Sequence, residues 1–243
     1  HVGGLVGKLN NSLNGECSAT NCTIKGGKVL YRNEEDTKAF VSTGGLIGSL
    51  EYNKISVDDT LDISGTEISG FDNVGGVIGY NHVGSNYGIS FKGKVVGTGE
   101  NIGGRVGYNN EGNIENCTNN GTILAEGGEK IYPQNIGGIV GLNNKGNIMQ
   151  CQNIQSISGA ENVGGIVGLE NGGTISSCSN SGKIVGAGNL GRSYWVMWSE
   201  YTGTGGIAGK LYHCKVEKSY NTGNIESNMN VGGIAGLNWS SKV

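Results

Sequence analysis

Residues 163–186 read VGGIVGLENGGTISSCSNSGKIVG, and this stretch decides the fold. It opens on an apolar–Gly–Gly–apolar–apolar–Gly phrase that recurs as VGGVIG from Val74, IGGIVG from Ile136 and VGGIAG from Val231. Looser copies begin at Val2, Thr43, Ile102 and Thr204. The Gly–Gly pairs start at 3, 44, 75, 103, 137, 164, 205 and 232, giving intervals of 41, 31, 28, 34, 27, 41 and 27 residues. A basal unit of 27–28 residues, lengthened in places, accounts for all seven intervals. Periods of this size mark repeat architectures, in which each unit buries its apolar side only by stacking on its neighbours.

The remainder of the unit is a second arm. Residues 112–123 (GNIENCTNNGTI) superimpose on 173–184 (GTISSCSNSGKI), and 146–157 fits the same frame. Each copy is a short β-rich run, an Asn-centred turn and another short β run, with nothing periodic enough for a helix. The sequence therefore predicts an all-β chain: a parallel β-helix, or β-solenoid, of about eight Gly-rich, three-sided coils with loop insertions. Residues 1–243 are taken as a single solenoid domain, a fragment of a larger protein.

Comparison of the copies sorts inside from outside. Val167 is matched by Val6, Ile47, Ile78, Val106, Val140, Ala208 and Ala235, so this position faces the core. Its neighbour Ile166 is replaced by Arg105 in one unit, which predicts a more exposed or edge location. The Gly have two available duties: positive φ at corners, and room where backbone meets backbone. Asn119, Asn153, Asn180 and Asn221 share one turn position and form one structural ladder. Asn73, Asn101, Asn135, Asn162 and Asn230 share another, just before the Gly–Gly phrase. Stacked Asn can hydrogen-bond to one another and to turn backbone. Cys117, Cys151 and Cys178 also fall at one repeat position and are expected as stacked thiols inside the column. Cys17 and Cys22 lie in an irregular insertion where a local disulfide is conceivable under oxidising conditions, and Cys214 has no evident mate.

Composition excludes several classes. With 48 Gly but one Pro the chain is not collagen-like, and a formal charge of −3 with Val and Ile in every unit is not a disordered composition. The 17 Lys and Arg are scattered, so no nucleic-acid partner is expected, and no apolar run is long enough for membrane insertion in this segment. No C-x-x-C pair signals a metal, and no cofactor motif stands in a supporting context, so none is expected. Catalysis by a polysaccharide-active β-helix (lyase or glycoside hydrolase) is the competing reading. It needs grouped carboxylates, or a carboxylate with an Arg or Lys base, on one face, and the repeats carry no recurrent acid to build it.

Residues 163–186 and 136–151 resemble the GLUG motif, which recurs in bacterial surface proteins such as large adhesins and immunoglobulin A peptidases. The resemblance implies a secreted or cell-surface location and a solenoid fold. In the peptidases of this group, cleavage belongs to a separate zinc domain with an HExxH signature; none of His1, His82 and His213 opens that pattern, so peptidase activity does not carry over. The strongest recognition candidate in the sequence is the insertion at 189–202, NLGRSYWVMWSEYT, with Tyr194, Trp195, Trp198 and Tyr201 as tentative binding residues for a glycan or a host or other surface protein. Clustered aromatics on a loop stack on sugar rings or anchor protein partners, or else fold back to cover the column. The expected function is a non-catalytic stalk or adhesin module.

Overall fold

The computed structural model describes residues 1–10, 16–19, 24–31, 41–52, 54–57, 63–88, 90–127, 133–187, 202–228 and 230–243; for 16–19 and 54–57 it describes the backbone alone. The described residues form strands and turns without helix, and every strand pairing is parallel. Among the described residues five sheets stack along the axis, with eight, eight, seven, five and seven strands. Each joins strands one repeat apart, which defines a β-solenoid. Where a three-sided coil was expected, a turn is built of five short strands. The turn beginning at Gln134 comprises Gln134–Gly137, Val140–Asn144, Asn147–Met149, Gln152–Asn153 and Ile157–Gly159. The expected count of eight also needs correction. Eight is the number of Gly–Gly phrases, whereas the fourth sheet, which closes a turn, has five strands among the described residues, which gives about five complete turns there.

The apolar positions stack as the alignment requires. Ile47, Ile78, Val106, Val140, Val167 and Ala208 are register partners along the second sheet, and all are buried. Ile114, Ile148 and Ile175 form a parallel interior row in the third sheet, and Ile123, Ile157 and Ile184 another in the fifth. A continuous core results from units that have none of their own.

The position of Ile166 and Arg105 is not an edge. Both are fully buried, as are the equivalent Leu46, Val77, Ile139 and Ile207. An Arg was read as a sign of exposure because charge is costly to bury, yet the close stacking of turns leaves this position no route outward. Burial lowers the Arg105 pKa from its ordinary value, against the opposing influence of the Cys117 and Cys151 thiols.

The two duties proposed for Gly divide unevenly. The phrase glycines have no positive φ; a Cβ on Gly137 would collide with the Val140 carbonyl oxygen, and one on Gly138 with the Gly165 oxygen of the next turn. They are Gly because backbone passes against backbone. The left-handed corners are taken mostly by other residues. Asn73, Asn101, Asn135, Asn162 and Asn230 hold φ between 38° and 61° immediately before the phrase. Asn is the residue that best tolerates this region after Gly, since its short amide can bond locally. A second corner follows the second sheet, at Val83, Glu111, Lys145 and His213. A third precedes the Cys position, at Asn116, Gln150, Ser177 and Lys218.

The amides at the first of these corners stack as well: Asn101, Asn135 and Asn162 each donate to the Asn of the preceding turn over 2.9–3.0 Å. Asn119 donates to Asn153, Asn153 to Asn180 and Asn180 to Asn221, each over 2.7 Å. The last pair is separated by 41 residues and the one before it by 27, so the insertion between them leaves the stacking unchanged.

Candidate functional site

The second sheet supplies the site. In its strands Ile78–His82, Val106–Asn110, Val140–Asn144 and Val167–Asn171, the fourth residue points inward and the third and fifth point out, because side chains alternate along a strand. The inward position carries a polar row. Asn81 donates to Asn109 and Asn109 to Asn143, each over 2.6 Å, and Asn143 donates to both oxygens of Glu170 at 2.8 Å. The Gly173 N–H also donates to Glu170 Oε1 at 3.1 Å. Burial overcomes these donors and pushes the Glu170 pKa up to about 8, with Cys178 adding to the rise. This row ends inside the column and offers nothing to a ligand.

The outward positions form two rows along the axis. Tyr80, Tyr108, Leu142 and Leu169 are register partners in the first, and His82, Asn110, Asn144 and Asn171 in the second. The second row is joined by hydrogen bonds that all run the same way. Asn171 donates to Asn144 at 2.8 Å and Asn144 to Asn110 at 2.7 Å. The Asn110 amide then meets His82 Nδ1 at 2.7 Å, and His82 Nε2 lies 3.0 Å from the Tyr52 hydroxyl. An amide N–H can only donate, so Nδ1 accepts and the Nε2–H donates to Tyr52. Bonds aligned in this way polarise one another. The Tyr80 hydroxyl also bonds to Asn110, and the Tyr80 and Tyr108 rings meet edge to face at 5.3 Å. Burial holds both phenols above the usual tyrosine pKa, so they remain neutral.

Aromatic groups bracket the Asn row. Tyr52, 54% exposed, stands at one end with its ring 4.8 Å from His82. At the other end Tyr212 and Trp239 lie 6.2 Å apart, and Lys210 Nζ sits 5.5 Å from the centre of the Trp239 ring. Tyr52 and Trp239 are far apart in the chain, and only the stacking register gathers this face. Sequence reasoning missed it because each aromatic was isolated in its own repeat. Aligning the first and third residues after each Val-Gly or Ile-Gly step would have shown the two rows.

A groove of about 370 Å³ lies at the C-terminal end of the stack, lined in part by Lys215, Val216, Lys218, Ile234 and Val243. It is where the last turn has no neighbour, and Val231 there is 51% exposed.

The candidate binding residues Tyr194, Trp195, Trp198 and Tyr201 lie outside the described residues. Cys117, Cys151 and Cys178 are placed in consecutive turns of the interior, buried and not joined in disulfides, and burial raises the Cys151 pKa well above that of an ordinary thiol. Cys214 is also buried and free, with its pKa pushed up to about 11 by burial. The side chain of Cys17, and Cys22 altogether, fall outside the described residues. No group of three or more His, Cys, Asp or Glu that could hold a metal occurs among the described residues.

A column of parallel turns with one outward face of ordered amides and aromatics defines a β-solenoid repeat module. Residues 159–185 match the model of the GLUG motif, and the remaining turns repeat that segment in register, so the chain carries a GLUG-motif repeat region. Comparison with curated proteins and with solved structures finds no match. No helix among the described residues is long and apolar enough to cross a membrane.

Proposed function

We propose that this chain is a non-catalytic, surface-displayed repeat module, an adhesin or stalk segment whose second-sheet face holds an extended ligand, glycan or protein. The observation that carries the reading is the continuous bonded row Tyr52–His82–Asn110–Asn144–Asn171 beside Tyr80 and Tyr108. Its groups are held in place by the column before any ligand arrives, so little ordering cost accompanies binding. Aromatic rings with a polar rim are the usual means by which proteins hold both sugars and protein partners. The secreted or cell-surface location rests on the resemblance of the repeats to those of bacterial surface proteins.

The experiment compares the wild type with Tyr80→Leu/Tyr108→Leu and with Trp195→Ala/Trp198→Ala on glycan and extracellular-protein arrays, alongside a reducing-sugar release assay. Leu occupies the Tyr80 and Tyr108 position in the next two turns, so the first variant keeps the fold. Loss of binding in the first variant supports the sheet face. Loss only in the second moves recognition to the 189–202 insertion. Release of sugar overturns the non-catalytic reading.

A further inference from the structure

Resting on that reading of the sheet face, we infer that its ligand is an uncharged, extended polysaccharide lying along the column axis. Three features of the face converge on this class. The first is charge. In the four strands from Ile78 to Asn171, the outward residues are Tyr80, His82, Tyr108, Asn110, Leu142, Asn144, Leu169 and Asn171, with no Lys, Arg, Asp or Glu among them. An anionic polymer such as nucleic acid or a sulfated glycan would need a basic row to neutralise it, and this face supplies none. The flanking Lys145 and Glu111 are 3.9 Å apart and offset one another at the rim.

The second feature is the hydrogen-bonding capacity left over. A primary amide has two N–H donors and two acceptor lone pairs. In the row, Asn144 uses one donor toward Asn110 and one lone pair toward Asn171. At Asn144 one donor and one acceptor therefore remain for a partner, whereas Asn110 spends its donors on His82 and Tyr80. Sugar hydroxyls, each able to donate and accept, match the set left at Asn144. A peptide strand alternates its groups on opposite edges and would meet only half of it.

The third feature is spacing. Neighbouring turns lie ~4.8 Å apart, as paired strands must. Both rows continue over several turns, so the face is a track along the axis, and an extended chain of sugar rings can lie along it with alternate rings turning opposite edges to the Asn row. The Tyr80–Tyr108 pair and the Leu142–Leu169 pair form the apolar row against which one ring face lies, while the Asn row meets the hydroxyl edge. Beyond the four central strands the rows continue past Tyr52 with Glu51, which pairs with Lys8, at one end, and past Tyr212 and Trp239 with Lys210 at the other, so the uncharged part of the track is the four central strands.

The test titrates the whole chain with β-1,4-linked glucose and N-acetylglucosamine oligosaccharides, as disaccharide, tetrasaccharide and hexasaccharide. Heparin and a collagen peptide serve as the anionic and protein probes. Affinity is expected to rise at least roughly tenfold from disaccharide to hexasaccharide and to be insensitive to salt between ~50 and ~500 mM. Tyr80→Leu/Tyr108→Leu should weaken hexasaccharide binding by roughly tenfold with the melting temperature unchanged, and Asn144→Thr should do the same in a background where both Tyr remain. Equal affinity for all three lengths, or preferential binding of heparin with steep salt dependence, overturns the inference. Binding of the collagen peptide alone, lost in the Tyr variant, overturns the glycan assignment but leaves the docking face standing. Hexasaccharide binding that survives all these substitutions overturns both.

Discussion

Replacing Glu170 with Gln should stabilise the protein by an amount that grows with pH. Glu170 stands where the three preceding turns carry Asn81, Asn109 and Asn143, and it is fully buried. Its pKa is raised from 4.5 to about 8, chiefly by burial, while Asn143 and the Gly173 N–H pull in the opposite direction. An acid whose folded pKa is raised keeps a proton that the unfolded chain has already released. Stability is therefore full below pH 4.5, falls as pH rises through the window up to about 8, and is level above it. Each pH unit within that window costs about 1.4 kcal/mol, so the group is worth ~3 kcal/mol at pH 7 and ~5 kcal/mol at pH 9. Gln has the same shape, keeps a carbonyl oxygen for the two donors, and does not titrate. Urea unfolding of wild type and Glu170→Gln at pH 5, 7 and 9 isolates the effect, because every other titrating group is common to both. Cys178 and Cys214, the thiols that influence Glu170 or feel it, are unchanged by the substitution. The difference should be smallest at pH 5 and widen by ~4 kcal/mol by pH 9. Parallel curves would show that Glu170 is not the buried titrating acid and refute the reasoning.

Two further expectations concern the stack itself. Arg105→Ile should be neutral or stabilising by ~1–3 kcal/mol, since Ile is found at this buried position in other turns and a buried charge repays its desolvation poorly; a loss above ~2 kcal/mol by thermal unfolding would show that the Arg105 contacts outweigh its burial. Gly165→Ala should cost ~3 kcal/mol, because the new Cβ meets the Gly206 oxygen and the Asn180 side chain, whereas Gly172→Asn, at φ 80° with only Lys145 Cγ nearby at 3.5 Å, should leave the melting temperature within a degree or two. Equal effects from the two would mean that close backbone approach is not what fixes Gly in the phrase.

The period of the column was legible in the sequence because the Gly–Gly phrase and the Asn turns repeat whatever lies between them. The number of strands per turn was not. Pairs as short as Thr118–Asn119 and Gln152–Asn153 carry too few residues for an alternating pattern, and they become strands only by pairing with each other. Arg105 misled because its identity speaks for solvent while its neighbours in the column determine its burial. The corners misled in the opposite way: Gly suggests positive φ, yet Asn73, Asn101, Asn135 and Asn162 adopt it, and the phrase glycines answer to sterics between turns. Tyr80, Tyr108 and Tyr52 went unnoticed because a surface gathered one residue per turn leaves no cluster in the sequence. Trp195 and Trp198 drew the eye for the converse reason.

The equal 2.7 Å bonds from Asn153 to Asn180 and from Asn180 to Asn221, one bridging 27 residues and the other 41, make the column a ruler whose graduations ignore chain length. Extra segments leave and re-enter at a turn without shifting the next mark. Position along the axis is therefore counted in turns, and a segment grafted at one turn can be moved to another. Lineages or engineers can lengthen such a molecule, or decorate it at chosen heights, by copying a single unit.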